Sequence, residues 1–413
     1  MTTLQTPEIE SDALLLPQLK SEPVLASKRR GSKRIKVLVL FGTRPEVIKL
    51  APVVHQLKAE RQKFNTVVVS SGQHADLIKP FVELFRLRIN HDLGVMTADQ
   101  TPNSVCARVL TAFDEILEKE KPDIVLVQGD TTTALAGAMA AFHRKIAVGH
   151  VEAGLRSGSA NNPFPEEMNR RPISQIAAFH FAATRFNRET LINEGINARR
   201  IFVTGNPVVD ALQFVTRKTP KRTETAKLLD ETQNLKRILL TTHRRESFGG
   251  TMRENLRVLR DFIRKHPDTA LFFPVHPNPS VRRAVTSVFK NNSRIYLLEP
   301  LAYTDFVRVM ANSWLIVSDS GGVQEEAPTL GKPLLVLRSN TERPEALASG
   351  VAKLVGGAPE KLAALLEENY SSDNWTNSVK QIENPFGDGT AARKIVEILS
   401  SASQRMPVEI SSN

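Results

Sequence analysis

Cysteine is almost missing from this chain of 413 residues: Cys106 is the only one. An intramolecular disulfide cannot form, and a Cys-rich zinc module is excluded. Indole and phenol rings are scarce too, at two Trp and three Tyr, and no RRM, KH, zinc-finger or basic-zipper pattern occurs, so no nucleic-acid partner is expected. No run approaches the ~18–20 uninterrupted apolar residues of a membrane-spanning helix. Near the start the only apolar cluster is Leu14-Leu15-Leu16, with acidic residues before it where a secretory signal would be positive. Neither a Walker pattern nor a complete Gly-x-Gly-x-x-Gly is present, which counts against nucleotide hydrolysis and dinucleotide redox chemistry. The expectation is a cytoplasmic globular protein with no membrane partner.

What is present fits that class. Hydrophobic residues make up 41% and charged residues 24%, close to globular averages, and the length corresponds to two or three domains of ~150 residues. The net charge of +11 favours anionic ligands. Part of it is local: residues 1–36 carry seven Lys or Arg against four Asp or Glu and lack helix or strand periodicity. Residues 1–34 are therefore expected to be a disordered basic arm, or a weak docking segment for acidic partners.

From Lys36 onwards short, β-branched apolar runs alternate with helix-period segments. Strands are expected at Val37–Phe41, Thr66–Ser70, Ile124–Val127, Ile146–His150, Phe179–Ala183 and Ile201–Thr204. After a polar stretch they resume at Ile238–Thr242, Leu271–Val275, Ile295–Leu298, Leu315–Ser318, Leu334–Leu337 and Ala352–Val355. Helical segments such as Glu46–Lys58, Val105–Glu118 and Thr251–Lys265 lie between them. The pattern implies an α/β chain of two doubly wound domains with parallel sheets covered on both faces. In such sheets ligands bind beyond the carboxyl ends of the strands, and the polar oddities concentrate there.

The first strand runs into Gly42-Thr43-Arg44-Pro45-Glu46, presenting Arg44 at a helix start with Lys49 one turn later, a grip for phosphate or carboxylate. Asp130 follows Ile124–Val127, where it could also cap the next helix, and Glu152 follows Ile146–His150. Glu166 begins an acidic helix start after Pro163 and Pro165, while its neighbour Glu167 reads as a helix-terminus acid. Three carboxylates in one cleft would perturb one another, as general acid–base groups require. In the second half, His243-Arg244-Arg245 at a strand end reads as an anion site. Asp319-Ser320-Gly321-Gly322 can turn three amides, of Ser320, Gly321 and Gly322, toward a phosphate, with Glu326 placed to accept from two ribose hydroxyls and Arg338 following the next strand.

These motifs resemble the non-hydrolysing UDP-N-acetylglucosamine 2-epimerases. The resemblance is carried in family order by Phe41–Glu46, Gly129–Thr133, His150–Arg156, Pro165–Arg170, His243–Glu246, Asp319–Pro328, Thr341–Ala346 and Asn384–Gly389. It implies a GT-B-like architecture of two Rossmann-like domains facing a cleft, in a homodimer. The division expected is 35–206, then a UDP-binding domain at 207–383, a helix at 384–402 returning to the first domain, and a disordered tail at 403–413. The implied reaction interconverts UDP-N-acetylglucosamine and UDP-N-acetylmannosamine without metal or redox cofactor, by elimination of UDP to a glycal and re-addition, supplying sugars for cell-surface polysaccharide. Arg44, Lys49, Asp130, Glu152, Glu166 and His243 fall in the implied reaction region. Ser320, Gly321, Gly322, Glu326 and Arg338 would hold the UDP, with Phe306 on the uracil side.

Two departures stand out. Gln128 replaces the histidine usual before the Gly-Asp-Thr run, and Gln73-His74-Ala75-Asp76 lacks the arginine that normally follows. The latter counts against the second, regulatory substrate molecule associated with this segment in bacterial members. The rival reading is a GT-B glycosyltransferase with a UDP-sugar donor, which would share the Ser-Gly-Gly and Glu site but not need three acids on the first domain's strand ends.

Overall fold

The computed structural model describes residues 34–404, apart from 74, 98–99, 219–222, 243–249, 277 and 290–291. Seven parallel strands form the first sheet: β1 (Ile35–Phe41), β2 (Phe64–Ser70), β3 (His91–Asp92), β4 (Ile124–Gln128), β5 (Ala147–Ala153), β6 (Phe179–Ala182) and β7 (Ile201–Val203). Their spatial order is β3-β2-β1-β4-β5-β6-β7. Six more form the second: β8 (Lys236–Thr241), β9 (Thr269–Pro274), β10 (Ile295–Leu298), β11 (Leu315–Ser318), β12 (Leu334–Val336) and β13 (Ala352–Leu354), ordered β10-β9-β8-β11-β12-β13. Both are doubly wound, as expected. The two-residue β3 lacks the apolar run on which strand expectations rest.

Each sheet reverses its winding once, between β1 and β4 and between β8 and β11. Strand order there opens a crevice between connections that leave in opposite directions. Arg44 and Asp130 follow β1 and β4, and Ser320 follows β11, so both reversals carry candidate residues.

The helix Pro207–Thr216 joins the halves. It packs against Arg44–Ala59 of the first half, against Tyr303–Ala311 and Gly321–Thr329 of the second, and against the last helix, Ala391–Gln404. Val209, Leu212 and Val215 belong to the same apolar cluster as Val54, Met310, Val323 and Ile395. A division after residue 206 assigns this helix to the second half, whereas its packing is shared. The last helix lies on Arg44–Ala59, and the Asp210 carboxylate accepts its Ala391 and Ala392 amides at 3.2 and 3.0 Å, supplying a cap from a neighbouring helix. No helix among the described residues is long and apolar enough to cross a membrane.

Candidate active site

At the end of β1 the chain enters a helix whose first turn is clamped by a buried acid. Glu46 Oε2 accepts the Gly42 and Thr43 amides at 3.0 and 2.7 Å, while its Oε1 accepts Thr131 Oγ1 at 2.8 Å. The loop after β1 is thereby tied to the loop after β4. Burial pushes the Glu46 carboxyl up to about 7 against these donors. Arg44 projects from this clamp into solvent, its guanidinium 6.0 Å from the Phe81 ring centre.

Asp130 follows β4 and is only partly buried. Arg170 holds its Oδ2 through two nitrogens at 2.8 and 2.6 Å, and Asn169 donates to its backbone carbonyl. The loop is steadied from behind by His150, whose Nε2 lies 2.8 Å from the Gly129 carbonyl. Burial holds His150 down to about 4, so the neutral ring donates that bond. Glu166 and Glu167 part company: Glu167 is fully buried and accepts the Ser157 amide and Arg170, while Glu166 is partly exposed on the same helix start.

Glu152 sits differently from the expectation. It lies inside β5 rather than beyond it, at a register shift against β6 between Val151 and Ala153. Its φ is +65°, a left-handed conformation that costs a non-glycine residue about 1–3 kcal/mol. A bulge re-aims the side chain out of the sheet's alternation, here toward Lys49, Gln128 and Asn206, all of which donate to it. Two residues on, Gly154 has φ +92°, and a Cβ there would lie 2.3 Å from the Asn187 carbonyl oxygen. Gly154→Ala is expected to destabilise the protein by about 1–3 kcal/mol, read as a lower urea midpoint at unchanged slope.

From the second half, Ser320 occupies the N-cap position of Gly321–Thr329 without a side-chain cap bond, placing the amides of Gly321 and Gly322 at the first helical positions, where no intrahelical acceptor exists. The expected third donor is committed elsewhere, since the Ser320 amide bonds Ser318 Oγ at 3.0 Å. Glu326 is buried, accepts Tyr303 Oη at 2.7 Å, and is pushed up by burial to about 7. Phe306 lies on the same helix as Tyr303, half-buried. Arg338 departs from expectation: it is buried and gives both terminal nitrogens to Glu342 at 2.9 and 3.2 Å, so its charge is already matched. The remaining candidate, His243, lies outside the described residues, as do Arg244 and Arg245.

The two halves meet at Lys49. Its Nζ contacts Glu152 of the first half and lies 2.8 Å from Glu325 Oε2 of the second. Glu325 also takes Arg343 Nε at 2.6 Å. Glu325, Glu342, Arg343, Tyr303 and Asn206 were not singled out from sequence. A signal existed: Gln324-Glu325-Glu326 put three consecutive polar residues directly after the Ser-Gly-Gly turn, and the acid–base pair Glu342-Arg343 precedes a proline.

Lys49 thus joins Glu152 of the first half to the helix that begins at the Ser-Gly-Gly turn of the second. The family model for UDP-N-acetylglucosamine 2-epimerase matches residues 56–400. The chain belongs to this family. The UDP-N-acetylglucosamine 2-epimerase of Bacillus subtilis is 43% identical over 367 residues, 89% of this chain and 95% of that protein. The Escherichia coli K12 enzyme of the same name is 41% identical over 374 residues, covering 89% and 99%. Among solved structures, the UDP-GlcNAc 2-epimerase of Neisseria meningitidis bound to UDP-GlcNAc superposes with a TM-score of 0.83 at 39% identity, over 89% of this chain and all of that one. The 2-epimerase fold is therefore that of this chain, GT-B-like with two parallel-sheet Rossmann-like domains.

Proposed function

We propose that this protein interconverts UDP-N-acetylglucosamine and UDP-N-acetylmannosamine in the cytoplasm, supplying sugars for cell-surface polysaccharide. The observation that carries the reading is Lys49, which joins an acid of the first half to the helix that follows the Ser-Gly-Gly turn of the second. A sugar nucleotide lying across that junction has its anomeric carbon near the carboxylates and its diphosphate near the amides.

In the proposed course a carboxylate removes the C2 proton, the C1–O bond breaks, and UDP leaves as C1=C2 forms. A second group then protonates C2 from the other face while the UDP oxygen returns to C1. Asp130, Glu152 and Glu166 are the acid–base set. Charge developing on the leaving diphosphate is met by Arg44, Lys49, His243 and the Gly321 and Gly322 amides. Glu326 accepts from ribose hydroxyls, Phe306 lies on the uracil side, and the assembly is a homodimer. Arg338 acts here through Glu342.

The reaction exchanges no net proton with solvent. Both directions therefore use the form in which the acid–base set holds one proton. Burial raises the Glu152 carboxyl above the ordinary carboxylate range, so it keeps that proton to higher pH than a free glutamate and releases it above its raised midpoint. We expect kcat/KM to fall as the pH rises through that raised Glu152 midpoint, with coinciding alkaline limbs in the two directions. A pH–rate profile started from each epimer checks this.

The test of the reaction itself is incubation with UDP-N-acetylglucosamine alone in D2O, followed by NMR. Appearance of the manno epimer with deuterium at C2 is expected. Absence of turnover until a sugar acceptor is added would replace this reading by a glycosyltransferase.

A further inference from the structure

Six buried side chains of alternating charge run from one half of the protein into the other: Glu152, Lys49, Glu325, Arg343, Glu342 and Arg338. Lys49 touches Glu152 and lies 2.8 Å from Glu325; Arg343 lies 2.6 Å from Glu325 and 3.1 Å from Glu342; Arg338 lies 2.9 Å from Glu342. All six are nearly excluded from solvent. With every member ionised, three cations balance three carboxylates.

The balance is uneven along the chain. Glu325 has two cations, Lys49 on one oxygen and Arg343 on the other, and Glu342 has both arginines. Glu152 has only a share of Lys49; its other donors among the described residues are the neutral amides of Gln128 and Asn206. One ammonium cannot fully compensate two carboxylates in a low-dielectric site. A proton entering this chain therefore settles on Glu152. The groups facing Glu152 are Lys49 from the helix after β1, Gln128 from β4, Asn206 before the joining helix, and Glu325 and Arg343 from the second half.

We propose that Glu325 is a positioning residue for the proton chemistry at Glu152: by drawing Lys49 across the junction, it leaves Glu152 able to hold a proton. The inference rests on the reading of Glu152 as an acid–base group. Burial and the Glu325 charge both push Glu152 up, while Glu325, though buried, is kept low by Arg343 and Lys49. The proton on the first half's carboxyl then depends on a carboxylate that only the second half supplies.

The experiment is a carboxyl 13C NMR titration of the full chain carrying labelled glutamate, with the Glu152 signal assigned by its loss in Glu152→Gln. In Glu325→Gln, Lys49 is left to Glu152 alone, and the Glu152 midpoint should fall by about one pH unit or more. In Lys49→Gln, Glu152 loses its cation, and the midpoint should rise by a similar amount. Glu325→Asp should restore much of the unsubstituted midpoint, and it carries the comparison with Lys49→Gln should Glu325→Gln not fold. In Glu325→Gln the alkaline limb of kcat/KM should move to lower pH, with UDP affinity by calorimetry unchanged. A Glu152 midpoint that stays in place in Glu325→Gln, or that moves the same way in both Gln variants, overturns the proposal. The titration needs no turnover, so the two readings fail separately: wild-type C2 exchange in Glu152→Gln would remove the catalytic reading and leave the titration as measured.

Discussion

Glu152→Gln is expected to lower turnover by about 10²–10⁴-fold, the usual range for loss of a positioned acid–base group, while UDP affinity changes little. The substitution is close to isosteric. Glu152 Oε1 accepts Lys49 and Asn206, and its other oxygen accepts the Gln128 amide. A new amide can keep its carbonyl toward Lys49 and Asn206 and offer its NH2 to the carbonyl of a flipped Gln128. What disappears is the ability to hold or release a proton. Asp130→Asn and Glu166→Gln should cut turnover comparably. For Asp130→Asn the loss would include a weakened hold by Arg170, two of whose nitrogens now grip Oδ2. Initial rates by NMR, set beside UDP binding by calorimetry, decide the matter; a Glu152→Gln enzyme with normal turnover would end the acid–base assignment.

The second large effect is on folding. Arg343→Met should destabilise the protein by about 3–5 kcal/mol, the cost of leaving buried charge uncompensated. Arg343 is the sole link between Glu325 and Glu342 in the buried chain, and it also lies against Gly321, where a Cβ would approach its Nη1 to 2.8 Å. Its removal strands Glu325 on Lys49 alone and opens space beside the Ser-Gly-Gly turn. Urea unfolding should show a sharply lower midpoint. A double substitution, Arg343→Met with Glu325→Gln, should recover part of the loss, because the abandoned charge is then gone as well. Recovery of nothing would mean that Arg343 matters for its shape and not for its charge.

The architecture was legible because two signals agree along the chain: β-branched apolar runs of strand length and helix-period segments between them. Residues following β1, β4 and β11 could be picked out, since a strand end in a parallel sheet is where polar side chains have reason to gather. Glu152 was picked for the right edge with the wrong geometry. A bulge is a local change of register, and nothing in His150-Val151-Glu152-Ala153 distinguishes continued pairing from a strand end. Arg338 and Glu325 show a different limit. Both are charged residues near the expected site, and which of them is spent on a neighbour depends on contacts with Glu342 and Arg343, 4 and 18 positions away in sequence. Spacing on one helix or strand does not encode that pairing.

The left-handed backbone at Glu152 has a consequence for selection experiments. Glycine would adopt that conformation without strain and would put no carboxyl into the protein interior. It would also leave Lys49, Arg343 and Arg338 facing two buried carboxylates and take the acceptor from the Gln128 and Asn206 amides. A library screened for heat resistance alone should therefore retain the strained glutamate rather than enrich glycine there.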